Sequence, residues 1–176
     1  MPTDEELMQA VARGDLSAFE QLVLRRQQEA WNAAYRFLND AAEAEDAAQD
    51  AFLKILDAAP RYRPTASFCT YLYRVVTRLC LNRMEKKRPH YVDRLPVSPS
   101  ADPGPPETLA LRESADAVRR ALDALPPRQR AALILRHYED MSYQEIADVM
   151  DTSVKSVERL LGRGREGLQR LLEEWR

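Results

Sequence analysis

Glycine is scarce in this chain, at five of 176 positions, and β-branched alternation is nearly absent. Both shortages argue against a sheet protein, whose turns and strands need them, and for a helical one. No apolar run approaches the roughly 20 residues of a membrane span, and the polar, acidic start MPTDEELMQA lacks a signal-peptide pattern. The chain therefore reads as cytoplasmic. The two cysteines, Cys69 and Cys80, are eleven residues apart. On one helix that is about 16 Å along the axis, whereas a disulfide needs Cα atoms within about 7 Å. Two cysteines and two distant histidines make no metal-ligand set. Nothing pairs a nucleophile with a base or cradles a phosphate in a glycine loop, so neither enzyme chemistry nor a cofactor is expected.

A basic excess is also missing, since the net charge is −2. That average conceals segregation. Residues 1–60 hold 5 basic and 12 acidic side chains, whereas residues 61–94 hold 9 basic and 2 acidic. An acidic block beside a basic block suggests two different partners.

Six of the eleven prolines fall between Pro89 and Pro106. Such a stretch supports neither a helix nor a central strand and reads as an extended, mobile linker over 89–108. It separates a domain at 1–88 from one at 109–176. Periodicity predicts four helices in the first, near 4–13, 17–38, 43–58 and 67–87. In the last of these, Phe68, Leu72, Val75 and Leu79 form the apolar stripe, with Thr70, Arg74 and Thr77 on the opposite face. The second domain should hold helices at 109–124 and 128–138, then two more.

Those last two lie in MSYQEIADVMDTSVKSVERLLGRGREGL. Ser142 and Glu145 form a capping box, so a helix starts at Tyr143. Asp151 stands where the turn needs a left-handed residue, and Thr152 or Ser153 caps the next helix. Val154, Val157, Leu160 and Leu161 point one way, while Lys155, Arg159 and Arg163 point the other, with Ser156 at the edge. These are the demands of a helix-turn-helix, whose second helix enters the major groove. Residues 139–151 carry five acids and no base, and residues 153–170 carry five bases and two acids. A recognition helix needs that cationic excess. The plainer alternative is a helical hairpin with a solvated charged face.

Two further stretches carry information. EAEDAAQDAFLKILDA gathers Glu45, Asp46, Gln49 and Asp50 toward a helix N-terminus, where the dipole favours acids, and adds Phe52, Leu53 and Leu56 as a packing face. The acids either cap and solubilise or form a protein-docking surface. RYRPTASFCTYLYRVVTRLCLNRMEKKRP interleaves Arg61, Arg63, Arg74 and Arg78 with Tyr71 and Tyr73. Cations that track phosphates, beside aromatics that stack on unpaired bases, suit single-stranded nucleic acid, although Tyr71 equally suits the core.

Taken in order, AEDAAQDAFLKIL, SFCTYLYRVVTRLCLNRMEKKR, the proline-rich stretch, and ALDALPPRQRAALILRHYEDMSYQEIADVM with TSVKSVERLLGRGREGL resemble a bacterial sigma factor of the extracytoplasmic-function (ECF) group. The resemblance implies an all-α chain: a four-helix sigma-2 domain and a helix-turn-helix sigma-4 domain on a flexible linker. It also implies docking of Asp46, Gln49, Asp50, Phe52 and Leu53 on the β′ clamp helices of core RNA polymerase. Arg61, Arg63, Ser67, Tyr73, Arg74, Thr77, Arg78 and Asn82 would bind the −10 element, double-stranded and then melted. Lys155, Ser156, Arg159, Arg163 and Arg165 would bind the −35 element while sigma-4 grips the β flap. The family further implies an anti-sigma partner. Tyr71, Asp151 and Glu158 depart from the family's frequent Trp, Gly and basic residue, so no −35 sequence carries over. A stand-alone helix-turn-helix repressor is the competing class, but it has no use for the acidic helix or the −10-like segment.

Overall fold

Most of the helices begin where a side chain accepts a free backbone N–H, and these caps mark out the chain. Thr3 and Glu6 form a reciprocal capping box at 3.2 and 2.7 Å, which starts α1, Asp4–Ala12. Asp15 accepts from Ser17 and Ala18 and starts α2, Leu16–Leu38. Asp40 accepts from the Glu43 N–H at 3.0 Å, so α3 begins at Ala41 rather than the expected residue 43 and runs to Ala58. Each such cap contributes about 1 kcal/mol. A 3-10 turn, Ala59–Arg61, follows around Pro60. The next helix, α4, is Phe68–Lys87. Its first N–H groups are taken by Ser67, which accepts from Thr70, and by Glu5 of α1, which accepts from Phe68 at 2.8 Å.

The computed structural model describes residues 1–87 and 109–174; the expected linker, 89–108, lies outside the described residues. The second group of helices is α5, Leu109–Ala124; α6, Pro127–His137; α7, Tyr143–Met150; and α8, Val154–Glu174. The Ser142–Glu145 capping box is present. Asp151 adopts the expected left-handed conformation (φ 53°), and Ser153 rather than Thr152 caps α8, accepting from the Ser156 N–H. Among the described residues every regular element is helical, so the chain is all-α.

In the first group α2, α3 and α4 pack on one another around Leu22, Phe37, Ile55, Phe68, Leu72 and Val76, all 1% exposed or less. Burying such a side chain contributes roughly 1.5–3 kcal/mol. Small Ala44, Ala47, Ala48 and Ala51 form the buried stripe of α3 and bring its backbone close to α2. In the second group α6, α7 and α8 close over Ile134, Leu135, Ile146, Val157 and Leu161. Gly164 and Gly167 are buried on α8. A Cβ on Gly164 would stand 3.0 Å from Leu133 Cδ1, and one on Gly167 would stand 2.7 Å from Leu125 Cδ2. Both glycines thus permit a close helix approach, whereas Gly162 faces open space.

The two groups also touch. α4 packs against α6 and α7, and α2 against α6. One consequence corrects the expected exposed face of α4: Thr77 is fully buried. Tyr71 is half-buried against Tyr62 and Phe68, with ring centroids 5.2 and 6.2 Å away.

Candidate nucleic-acid and protein interfaces

On α8, Lys155, Arg159 and Arg163 are exposed and spaced four residues apart, so they form one stripe along a helix. Opposite them Val157 and Leu161 are buried. Ser156 is half-buried beside the stripe, and its hydroxyl accepts a hydrogen bond from Ser153 at 3.1 Å. Arg165 is exposed too, but two residues beyond Arg163 it falls on roughly the opposite side of the helix. Arg163 also rims a groove with Leu125, Gly167, Arg170 and Leu171 where α8 meets the α5–α6 corner. The stripe can neutralise phosphates or reach base edges from a major groove.

The acidic helix α3 presents Asp46 and Gln49 to solvent and leaves Asp50 half-buried. Asp50 pairs with Arg83 of α4 at 2.8 Å, and Glu43 pairs with Lys87. Some of this acidity therefore ties α3 to the basic helix rather than facing outward. Phe52 is buried, at 6% exposure, while Leu53 beside it is 61% exposed. Together they form one wall of an α2–α3 groove whose other wall is Phe19, Val23 and Trp31. Trp31 stacks on Tyr35 with centroids 5.0 Å apart. The sequence reading missed this α2 wall, although the i, i+4 spacing of the two aromatics was a usable sign. A groove with an apolar floor and an acidic, amide-bearing rim suits a helical protein partner.

The basic segment divides in two. Arg61, Arg63 and Ser67 before α4, and Arg78 and Asn82 on it, are exposed. Tyr73 and Arg74 are half-buried and Thr77 is covered, because the C-terminal half lies over them. The Tyr73 hydroxyl donates to Glu139 at 2.6 Å, and Arg74 Nε donates to the Asp148 carbonyl at 3.0 Å. Burial, then the bond to Glu139, pushes the Tyr73 phenol up, so it remains a donor. Glu139 also pairs with Arg36 of α2, whose guanidinium lies 5.5 Å from the Tyr138 ring centroid. Arg130 stands 2.7 Å from Asp123, off the hydrogen-bond direction, and donates to the Arg36 carbonyl at 3.4 Å. Asn39 donates to the other Asp123 oxygen at 3.2 Å. Burial pushes the Asp123 carboxyl up, while Arg130 opposes that shift. Periodicity gave no sign of Arg36, Glu139, Asp123 or Arg130, because charges that meet across the chain look like solvated ones in sequence. Burial likewise raises the Tyr62, Tyr71 and Cys69 protons, and takes Cys80 up to about 12. Among the described residues no cluster of ligating side chains could hold a metal ion, and no helix is long and apolar enough to cross a membrane.

A cationic helix on a helix-turn-helix, carried by an all-helical chain with an acid-rimmed apolar groove, is the plan of a DNA-binding protein with room for a protein partner. Known proteins share this plan. Residues 22–90 match the family described as Sigma-70 region 2, and residues 115–168 match Sigma-70, region 4. The RNA polymerase sigma-H factor of Pseudomonas aeruginosa is 34% identical, over 97% of this chain and 94% of its own. The ECF RNA polymerase sigma-E factor of Escherichia coli K12 is 32% identical, over 94% and 92%. Among solved structures, CnrH in complex with the cytosolic domain of CnrY is similar with a TM-score of 0.69 and 28% identity, covering 97% of both chains. The chain belongs to the sigma-70 family, in its extracytoplasmic-function group. It is a factor that directs RNA polymerase to promoters; sigma factors are transcription regulators rather than enzymes.

Proposed function

We propose that the chain divides its work between a sigma-2 domain at 1–88 and a sigma-4 domain at 109–176. Asp46, Gln49, Asp50, Phe52 and Leu53 dock on the β′ clamp helices, with Leu53 entering the partner and Phe52 backing it. Arg61, Arg63, Ser67, Arg78 and Asn82 meet the −10 element, joined by Tyr73, Arg74 and Thr77 once these are uncovered. Lys155, Ser156, Arg159 and Arg163 meet the −35 element, with Arg165 reaching it only from the helix flank, while sigma-4 grips the β flap. The chain works in the cytoplasm and performs no chemistry of its own; the polymerase makes the phosphodiester bonds. An anti-sigma partner holds it inactive, a reading supported by the complex of the similar CnrH with CnrY.

The exposed cationic stripe of α8 above a buried Val157–Leu161 core carries this reading. Two weak DNA-binding modules gain avidity when the polymerase fixes their spacing, which accounts for a sigma factor with net charge −2. The test is transcription of genomic DNA fragments by bacterial core polymerase with and without the protein, with RNA 5′ ends mapped. New starts that share two spaced upstream elements are expected. Site-specific binding without core polymerase, and no new starts, would replace this reading with a stand-alone repressor.

A further inference from the structure

The first turn of α1 holds three acids in a row, Asp4, Glu5 and Glu6. A helix dipole favours acids there, so the run looks like one feature, yet each carboxylate has its own task. Asp4 is buried and pairs with Arg25 and Arg26 of α2, which ties α1 down. Glu6 closes the capping box with Thr3. Glu5 reaches out of its own helix and accepts the Phe68 N–H, the first backbone donor of α4, at 2.8 Å. That is its carboxylate's one hydrogen bond among the described residues. The anchoring of α1 does not depend on it, because Leu7, Met8 and Val11 bury the inner face of that helix at 4% exposure or less.

The Phe68 N–H marks the end of the loop that leads from Arg61 to Ser67. Residues 63–67 are exposed, and within them the backbone bonds only from the Thr65 N–H to the Arg63 carbonyl, at 2.8 Å. The shape of the loop is therefore set at its two ends. At the entry, Tyr62 is half-buried with its ring 5.2 Å from Tyr71, and α1 packs on the 3-10 turn just before it. Burial, and then the charge of Glu5, raises the Tyr62 phenol. At the exit, Ser67 takes the Thr70 N–H, Glu5 takes the Phe68 N–H, and Phe68 meets the same Tyr71 ring at 6.2 Å. Helix α1 thus reaches both ends of the loop, from a position ahead of the residues 22–90 that match Sigma-70 region 2.

We propose that Glu5 is a positioning residue for the −10 element: by holding the first turn of α4 it fixes the exit of the loop between Arg61 and Ser67, and with it the shape that receives the unpaired strand. The proposal rests on the −10 assignment above and adds a residue that itself touches no DNA. The carboxylate also stands where a helix N-terminus would otherwise draw a phosphate. The strand is thereby kept to the cations of the loop and off the end of α4.

The test uses the full chain with bacterial core polymerase on genomic DNA fragments, with RNA 5′ ends mapped, beside a titration against core and a thermal melt. At concentrations that saturate core, Glu5→Ala should lower the yield of mapped starts roughly tenfold, the scale of one hydrogen bond to a charged group. It should also blur the base preference of the downstream element and leave the upstream element as sharp as with the native chain. Poor folding alone would lower all starts alike and leave both preferences as they are. Glu5→Gln keeps a carbonyl oxygen at the same reach and should recover most of the yield and the preference. Glu5→Asp is one methylene short and should behave as Glu5→Ala. Glu6→Ala removes the same charge from the same turn and breaks the capping box of α1, so it should lower the melting temperature and leave both preferences unchanged. An unchanged downstream preference in Glu5→Ala, an equal loss in Glu5→Gln, or the same blurring in Glu6→Ala overturns the proposal. The −10 assignment is read separately, from Arg61→Ala and Arg63→Ala. If these change neither yield nor downstream preference, that assignment fails and the proposal with it. If they do and Glu5→Ala does not, only the positioning role fails.

Discussion

Single residues show how close packing and charge burial set limits that composition does not. The glycines of α8 are the clearest case. Gly162 meets nothing within 4 Å of a built Cβ, whereas Gly164 meets Leu133 at 3.0 Å and the Gln129 carbonyl at 3.4 Å. Gly162→Ala should therefore stabilise by about 0.5–1 kcal/mol, the usual gain over glycine in a helix. Gly164→Ala should destabilise, because Leu133, with Cδ1 at 3.0 Å and Cγ at 3.1 Å, is buried and has little room to give way. Thermal melts of the two variants should shift in opposite directions, by about 2–4 °C per kcal/mol. Cys80 gives a second test. Its thiol is fully buried and held at about 12, against an ordinary 9.0, mainly by desolvation. Between those values the folded chain keeps a proton that the unfolded chain releases, so stability falls as pH rises through that window. The advantage of the native chain over Cys80→Ala in melting temperature should be constant below about pH 9 and shrink above it. Iodoacetamide at pH 8 should modify half-buried Cys69 slowly and Cys80 only on unfolding.

Elements were the most legible scale. The capping box at Ser142, the left-handed Asp151 and the helix ends near Leu38, Ala58 and Ala124 follow from local side-chain chemistry, which sequence displays directly. The 3-10 turn at Ala59–Arg61 and the cap that Glu5 gives α4 across 63 residues were not legible, because the partner lies elsewhere in the chain. Helix α3 shows what that costs in function. Its acids read as one docking cluster, yet Asp50 holds Arg83 and Glu43 holds Lys87, while Asp46 is simply exposed. Charge reversal should separate the two roles. Asp46→Arg should weaken binding to core polymerase severalfold with an unchanged melting temperature. Asp50→Arg should weaken binding and also lower the melting temperature, by setting two cations against each other at the α3–α4 seam. Equal affinity of Asp46→Arg and native chain in a titration against core would remove α3 from the docking surface.

At the scale of the molecule, sequence predicts two independent halves, and it does so because the buried polar junction between them leaves no periodic trace. Asp123 and Arg130 belong to the C-terminal half, but they also reach Asn39 and the Arg36 carbonyl in the other. Arg130 is 5% exposed. A buried pair of this kind adds little over well-packed apolar residues, yet removing one partner strands a charge at about 3–5 kcal/mol. That asymmetry links the halves in unfolding. With the junction intact, neither half can melt without exposing the ion pair and uncovering α4, so calorimetry of the free chain should give one transition with equal calorimetric and van't Hoff enthalpies. Arg130→Met leaves Asp123 without its cation, and the C-terminal half should then melt first, splitting the transition in two. Asp123→Leu combined with Arg130→Met should restore most of the C-terminal half's own stability. It should not restore the single transition, because Asn39 and the Arg36 carbonyl would still lack their partners across the junction. One merged transition in both variants would mean that the apolar packing of α4 on α6 and α7 alone couples the halves.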